Sequence, residues 1–283
     1  MILREAFALG KDLFKTSEIE EYETDTWLLL EAAAGCTRTD LYVRPDTLLT
    51  EEQETLYREY LEKRKSRIPL QHILGVQCFC GLDFIVTPDV LCPRLDTEVL
   101  IEEALKRIKP GSHILDMCTG SGCIVLSLLH LTKDCIGTGV DLSEKALEVA
   151  KQNAKKLEKE CTFIHSDLFE HIEGRYDVII SNPPYIATKE IEGLSPEVRI
   201  HEPMMALDGK EDGLFFYRKI VSASVDYLKP EGWLMFEIGY DQGEALKEMM
   251  KAAGYCEVKV IKDLAGLDRV VVGKLSQEES GNV

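Results

Sequence analysis

The fold is decided by a stretch in the middle of the chain, Ile114-Leu115-Asp116-Met117-Cys118-Thr119-Gly120-Ser121-Gly122. An apolar strand runs into a loop of small residues, and a helical pattern over 123–131 follows directly. Glycines in such a loop let a ligand approach the backbone, and the start of the next helix offers free N–H donors. The spacing differs from the Gly-x-Gly-x-x-Gly of a dinucleotide fold. Because a strand and a helix flank the loop, we interpret it as a ligand-binding turn rather than a purely structural one.

Strand and helix patterns alternate along the chain on both sides of this loop. The predicted strands cover residues 113–116, 135–141, 162–165, 176–181, 232–238, 255–261 and 269–274. The predicted helices cover residues 97–108, 123–131, 143–157 and 241–253. Such alternation predicts an α/β domain with a mostly parallel sheet that helices cover on both faces.

The chain before Pro93 has a different character. Residues 1–75 are helical in pattern, with a helix that stops at Gly35 and a capping box formed by Thr50 and Gln53. Short strands at 77–86 and 90–92 then surround turns at Gly81 and Pro88-Asp89. We therefore predict a small all-α N-terminal domain (1–75), a β-hairpin linker (76–92) and the α/β domain (93–283), whose acidic tail 277–283 we expect to be frayed.

A basic run, Lys63-Arg64-Lys65-Ser66-Arg67, ends the second capped helix. Cations at a helix C-terminus suit the helix dipole, so one interpretation is capping and solvation. The other is a contact surface for RNA or for an acidic partner.

Charge and cysteine content limit the possible partners and compartments. The 283 residues include 33 basic and 50 acidic side chains, a net charge of −17 that argues against broad contact with a nucleic-acid backbone and favours a basic protein partner. The nine cysteines are scattered without zinc-ligand or Cys-x-x-Cys spacing, which indicates reduced thiols and no metal site. Without a signal-peptide pattern or an apolar stretch of roughly 18 residues, we expect a cytoplasmic protein that does not enter membranes.

Two further strand ends carry candidate cofactor ligands. Asp141 ends the strand after the glycine loop, where an acid in sheets of this kind binds ribose hydroxyls, although it could instead cap the next helix. Asp167 and Leu168 follow the next strand and could flank a base. Together with the loop, these residues indicate a nucleoside-containing cofactor.

The sequence Ser181-Asn182-Pro183-Pro184-Tyr185-Ile186 follows another predicted strand. Two prolines fix the backbone and remove two N–H donors, so that carbonyl acceptors remain. With the Asn182 amide and the aromatic face of Tyr185 beside them, the loop is suited to hold a planar –NH2 group by its two hydrogens. The alternative is a rigid loop whose asparagine is satisfied internally.

The glycine loop, Asp141 and the Asn-Pro-Pro-Tyr sequence resemble the class I S-adenosylmethionine-dependent methyltransferases that modify amide or exocyclic amino nitrogens. Other stretches narrow the resemblance to the peptide chain release factor glutamine methyltransferases (the PrmC/HemK family). These stretches are 69–75, 93–98, 202–207, 211–218, 237–239 and 263–269. The chain departs from the family pattern at Leu95-Asp96, where Pro-Glu is more usual, at Cys118, usually glycine, and at Leu168, often tryptophan.

This resemblance implies a Rossmann-like methyltransferase domain that methylates the side-chain amide nitrogen (N5) of the glutamine in the Gly-Gly-Gln motif of class I peptide chain release factors. The cofactor would be S-adenosylmethionine, released as S-adenosylhomocysteine. The implied catalytic residues are Asn182, Pro183, Pro184 and Tyr185. The implied cofactor-binding residues are Asp116, Cys118, Thr119, Gly120, Ser121, Gly122, Asp141, Asp167, Leu168 and Asn182. Tyr185 would pack on the amide plane, and the helical domain and hairpin would dock the release factor.

Three alternatives remain open at this point. A sibling enzyme would methylate a glutamine of a ribosomal protein. An adenine-N6 DNA methyltransferase also has an Asn-Pro-Pro-Tyr sequence, but it needs base flipping and a basic DNA-binding surface. Because the net charge of this chain is −17, we expect no direct DNA binding. A non-catalytic binding module could keep the fold without binding a cofactor.

Overall fold

The computed structural model describes residues 1–276, so the predicted frayed tail 277–283 lies outside the described residues. The helices and strands, in chain order, are α1 (Leu3–Thr16), α2 (Tyr22–Ala34), α3 (Arg38–Val43), α4 (Glu51–Lys65), α5 (Leu70–Leu74), β1 (Val76–Phe79), β2 (Leu82–Ile85), α6 (Glu98–Leu105), β3 (His113–Met117), α7 (Cys123–Leu131), β4 (Ile136–Asp141), α8 (Glu144–Lys156), β5 (Thr162–His165), β6 (Tyr176–Ser181), α9 (Pro196–His201), α10 (Met204–Leu207), α11 (Phe215–Tyr227), β7 (Leu228–Glu237), α12 (Gly243–Ala252), β8 (Tyr255–Lys262) and β9 (Asp268–Leu275). Short 3-10 helices cover Leu95–Thr97 and Thr188–Gly193. No helix among residues 1–276 is long and apolar enough to cross a bilayer.

The chain forms two compact units. The first contains Met1–Val76 together with Ser195–His201, and the second contains Gln77–Leu194 and the residues from Glu202 onward. The segment with α9, which the sequence analysis included in the α/β domain, is thus part of the helical unit. The β1–β2 hairpin belongs to the second unit, because Phe79 and Phe84 are buried in the core that α6 and α7 cover.

The helical unit follows the signals read from the sequence. Helix α2 ends at Gly35 in the left-handed conformation (φ 65°), which glycine adopts without steric cost. Thr50 caps the start of α4: its hydroxyl accepts from the Gln53 N–H at 3.1 Å, while the Gln53 side chain accepts from the Thr50 N–H at 2.9 Å. The predicted capping box is therefore confirmed.

The basic run at the end of α4 is largely paired within the helical unit. Arg64 is buried, and its guanidinium donates to Asp25 Oδ2 at 2.7 Å and to Glu197 Oε1 at 3.0 Å. Arg67 donates to the same Glu197 oxygen at 3.0 Å. Burial raises the pKa of the Asp25 carboxyl, and the Arg64 pair opposes that rise. These contacts favour an internal role for Arg64 and Arg67 over a contact surface for RNA.

The second unit contains a seven-stranded sheet in the order β5-β4-β3-β6-β7-β9-β8. The first five strands run parallel, and β9 is antiparallel to both β7 and β8, so the predicted mostly parallel sheet is confirmed. Successive side chains of a strand point to opposite faces. Val178 of β6 accordingly joins the core beneath α6 and α7, whereas Ile179 joins the core beneath α11 and α12.

The predicted strand at 90–92 is wrong. Val90 and Cys92 are buried, as an apolar strand pattern suggests, but the Cys92 N–H donates to a carboxylate oxygen of Glu202 at 3.4 Å and not to a strand partner. Pro93 has no N–H with which to continue a ladder. Helices α9, α10 and α11 lie within residues 187–231, a stretch for which the sequence pattern predicts no helix.

The buried Arg64 pair gives a stability prediction. Arg64→Ala leaves the carboxylates of Asp25 and Glu197 without their shared cation, so we expect the free energy of unfolding to fall by about 3–5 kcal/mol. The measurement is urea unfolding followed by the fluorescence of Trp27, which lies in α2, in a Trp233→Phe background.

Lys65→Ala is the matched control, since Lys65 is exposed and contacts Glu62 at 3.5 Å on the surface of the same helix. It should change the free energy of unfolding by no more than about 0.5 kcal/mol. Equal losses in the two variants would contradict the structural role of Arg64.

Candidate active site

A cavity of about 390 Å³ lies at the carboxyl edge of the parallel strands β3, β4, β5 and β6. Sheets of this kind bind ligands at that edge. The cavity is formed by the second unit alone. Nine of the residues proposed from the sequence line it: Cys118, Thr119, Gly120, Ser121, Asp141, Asp167, Leu168, Asn182 and Pro184. Four others, Asp116, Gly122, Pro183 and Tyr185, lie outside its lining.

Asp116 is completely buried and stabilises the loop from within. The Thr119 hydroxyl donates to its Oδ2 at 2.6 Å, and the Val125 N–H of α7 donates to the same oxygen at 3.3 Å. Burial raises the pKa of this carboxyl to about 7, because the charged form loses its hydration. Asp116 therefore fixes the loop shape and does not line the cavity.

The two glycines of the loop have different functions. Gly120 (φ 54°) lines the cavity, and a Cβ built on it would meet no heavy atom within 4 Å, so its backbone is open to a ligand. Gly122 (φ 78°) faces the protein, where a Cβ would lie 3.2 Å from Ala150 Cβ of α8. Cys118 also has a positive φ of 61°, a conformation that costs a side-chain-bearing residue roughly 1–2 kcal/mol.

Asp141 connects the loop to the end of β4. Its Oδ2 accepts from the Gly120 N–H at 2.8 Å and its Oδ1 accepts from the Ser143 N–H at 2.9 Å. The N-cap of α8 is Ser143, whose hydroxyl accepts from the Ala146 N–H, so Asp141 is not the helix cap. Burial raises the pKa of Asp141, and the backbone N–H groups of Ser143, Gly120 and Leu142 oppose that rise. A carboxylate has about four lone-pair sites, so an acceptor site remains for a hydroxyl donor.

The residues after β5 extend the cavity wall. Asp167 is exposed, whereas Leu168 is buried and adopts a positive φ of 51°. The Ser166 N–H donates to the Asp141 carbonyl at 3.1 Å, which places the β5 end beside the β4 end. An apolar side chain thus borders the cavity next to an acidic one.

The loop after β6 brings an amide to the same cavity. Ser181 donates from its hydroxyl to the Met117 carbonyl at 2.6 Å, which aligns the ends of β6 and β3. Asn182 is half-buried, and its side chain forms no hydrogen bond with the described residues 1–276. The alternative of an internally satisfied asparagine is therefore not favoured.

Tyr185 is held on the far side of that loop. Its hydroxyl donates to Glu237 Oε1 at 3.5 Å, and its carbonyl accepts from Gln242 Nε2 at 2.9 Å. Burial raises the pKa of the phenol well above its usual value. The ring is outside the cavity lining, and its packing on an acceptor amide stays a prediction.

Several residues near the site carry no sequence-predicted role. Glu237 and Gln242 contact Tyr185, while Arg94 and Lys219 line the cavity. Arg94 is fixed by a 2.7 Å pair with the buried carboxylate of Glu202. For Glu237, the sequence offers one signal of a functional role: an acidic residue directly follows the apolar run 234–236.

The size of the cavity and the groups that line it fit S-adenosylmethionine. Its volume is within the range of roughly 300–1,000 Å³ that is typical of small-molecule sites. The open backbone at Gly120 leaves room for the methionine portion, the free lone pairs of Asp141 suit ribose hydroxyls, and Leu168 offers an apolar surface for a base. Fold and cavity together define a class I S-adenosylmethionine-dependent methyltransferase.

Comparison with known proteins gives the family. Residues 5–75 match the model of the PrmC N-terminal domain, and residues 93–208 match the model of the methyltransferase small domain. The chain is 45% identical over 258 residues to the release factor glutamine methyltransferase of Geobacter sulfurreducens, covering 91% of each chain. It is 40% identical over 285 residues to that of Caulobacter vibrioides, covering 99% of each. The chain belongs to the release factor glutamine methyltransferases, which are S-adenosylmethionine-dependent protein-glutamine N-methyltransferases.

A solved methyltransferase structure from Pyrococcus furiosus agrees on the fold. It superposes with a TM-score of 0.55 at 19% identity, covering 76% of this chain and 99% of that chain. At that identity the likeness supports the Rossmann-like architecture and nothing finer.

Asp141→Ala tests the assignment of the ribose ligand. The variant loses a charged acceptor for ribose, and hydrogen bonds to charged groups contribute about 1.5–3 kcal/mol, so the Kd for S-adenosylmethionine should rise roughly 10- to 100-fold. Isothermal titration calorimetry measures it, and Glu144→Ala, in the exposed first turn of α8, is the control that should bind as the wild type does. An unchanged Kd in Asp141→Ala would remove Asp141 from the cofactor site.

Proposed function

We propose that this protein transfers a methyl group from S-adenosylmethionine to the side-chain amide nitrogen (N5) of the glutamine in the Gly-Gly-Gln motif of class I peptide chain release factors. The observation that carries the proposal is the Asn182 amide, which lines the same cavity as Asp141 and has no hydrogen-bond partner among residues 1–276. Family membership supports the choice of acceptor over a ribosomal protein or adenine.

The chemical difficulty is the acceptor, because the lone pair of an amide nitrogen is delocalised into its carbonyl. Asn182 Oδ1 and the Pro183 carbonyl accept the two amide hydrogens in this proposal and hold the nitrogen in one orientation. The same two acceptors stabilise the positive charge that develops on the nitrogen. Pro184 follows the Pro183 carbonyl and lines the cavity, and its ring restricts the backbone beside that carbonyl.

S-adenosylmethionine supplies a methyl group that its sulfonium already activates. The residues of the chain bind and orient: Gly120 and Asp141 on the cofactor side, Asn182 and Pro184 on the acceptor side. Once methylated, the amide loses its proton to water or to a nearby acceptor. Tyr185 acts in this proposal from outside the cavity lining, by holding the loop.

The compartment and the docking of the partner are also proposals. We propose a cytoplasmic enzyme, which the nine free thiols support because disulfides are rare in reducing compartments. The helical unit and the β1–β2 hairpin are proposed to dock the release factor. The net charge of −17 favours a partner with basic surfaces.

The experiment is transfer of labelled methyl from S-adenosylmethionine to a purified class I release factor. A release factor in which alanine replaces the motif glutamine is the matched control. We expect label on the first and none on the second. Label on both would contradict the proposed acceptor residue, and label on neither would contradict the proposed substrate.

A further inference from the structure

A buried carboxyl lies beside the Asn-Pro-Pro-Tyr loop, and the proposed chemistry does not use it. Glu237 ends β7 and is 1% exposed, and it does not line the cavity. Its Oε1 accepts from the Tyr185 hydroxyl at 3.5 Å. Burial raises the pKa of this carboxyl to about 7. Burying a carboxyl costs free energy that only hydrogen bonds and charge partners offset.

Glu237 is fixed in place by its own neighbours. The Tyr217 hydroxyl of α11 donates to the Glu237 backbone carbonyl at 2.8 Å. The charged groups that face its side chain are Arg269 of β9 and Asp96 of the 3-10 helix, which pair with each other at 3.3 Å. The hydroxyl of Thr97, which lines the cavity, also lowers the pKa of the carboxyl. The backbone of Glu237 is therefore held by α11, while Arg269, Asp96 and Thr97 act on its buried side chain.

Tyr185 is held at a second point by the same stretch of chain. Gln242 donates from Nε2 to the Tyr185 carbonyl at 2.9 Å, and its Oε1 accepts from the Gly239 N–H at 2.9 Å. Gly213 packs so closely that a Cβ on it would lie 2.3 Å from the Tyr185 carbonyl oxygen. Residues 237–242 thus hold both the hydroxyl and the backbone of Tyr185.

We propose that Glu237 is a positioning residue, which acts through Tyr185 to hold Asn182 and the Pro183 carbonyl at the acceptor amide. The two prolines between Asn182 and Tyr185 restrict the backbone, so a displacement of Tyr185 moves Asn182 with it. A displacement of about 1 Å in a reacting geometry can cost on the order of 100-fold in rate. This inference rests on the proposed function, because it needs an amide acceptor.

Three substitutions separate positioning from general stability. Tyr185→Phe removes the hydroxyl and keeps the ring, Glu237→Ala removes the acceptor, and Glu237→Gln keeps an acceptor oxygen for the hydroxyl. We expect the first two to lower kcat for methyl transfer to the release factor by roughly tenfold or more while the Kd for S-adenosylmethionine is unchanged. Glu237→Gln should restore most of kcat.

Tyr255→Phe is the matched control, because it also removes a buried hydroxyl, and that hydroxyl bonds to Ser224 Oγ of α11 at 2.7 Å. It should keep the wild-type kcat. Wild-type kcat in Tyr185→Phe and Glu237→Ala, or an equal loss in Tyr255→Phe, would overturn the positioning role while the proposed function stands. No transfer by the wild type would overturn both.

Discussion

One hydrogen bond organises the site, the 2.8 Å contact from the Gly120 N–H to the Asp141 carboxylate. It joins the loop after β3 to the end of β4, two strands that already pair in parallel register through Asp116 and Gly139. Because the bond uses one lone pair of Oδ2, it fixes the carboxylate and still leaves acceptors free. The same bond therefore shapes the cavity wall that fits a nucleoside.

The acceptor side depends on a different neighbour of β3. The end of β6 is aligned with β3 by the Ser181 hydroxyl and the Met117 carbonyl, so the Asn182 loop opens at the same edge of the sheet. β3 thus lies between the cofactor loop and the acceptor loop. The cofactor and the acceptor can therefore bind side by side. Each contacts the end of a different strand, and both strand ends line the same cavity.

Much of the fold could be predicted from the sequence because its signals are local. Capping residues and apolar runs within a few positions predict the β3–α7 connection, the Thr50 cap and the strands at 162–165 and 176–181. The failures come from distant contacts. The strand expected at 90–92 does not form, and the Cys92 N–H donates to Glu202 instead. Tyr185 contacts Glu237 and Gln242, which lie more than 50 residues further along the chain. No local pattern around Asn-Pro-Pro-Tyr indicates those partners.

The account divides the cavity into a side that binds the cofactor and a side that holds the acceptor, and Asn182→Ala tests that division most directly. Two quantities should be measured on the same variant: the Kd for S-adenosylmethionine by calorimetry and the single-turnover rate of methyl transfer to the release factor. Loss of an acceptor that stabilises developing charge predicts a rate lower by about 10²–10³-fold, with the Kd for S-adenosylmethionine much less affected. A Kd that weakens as much as the rate falls would show that Asn182 mainly builds the cofactor pocket, and would contradict the account.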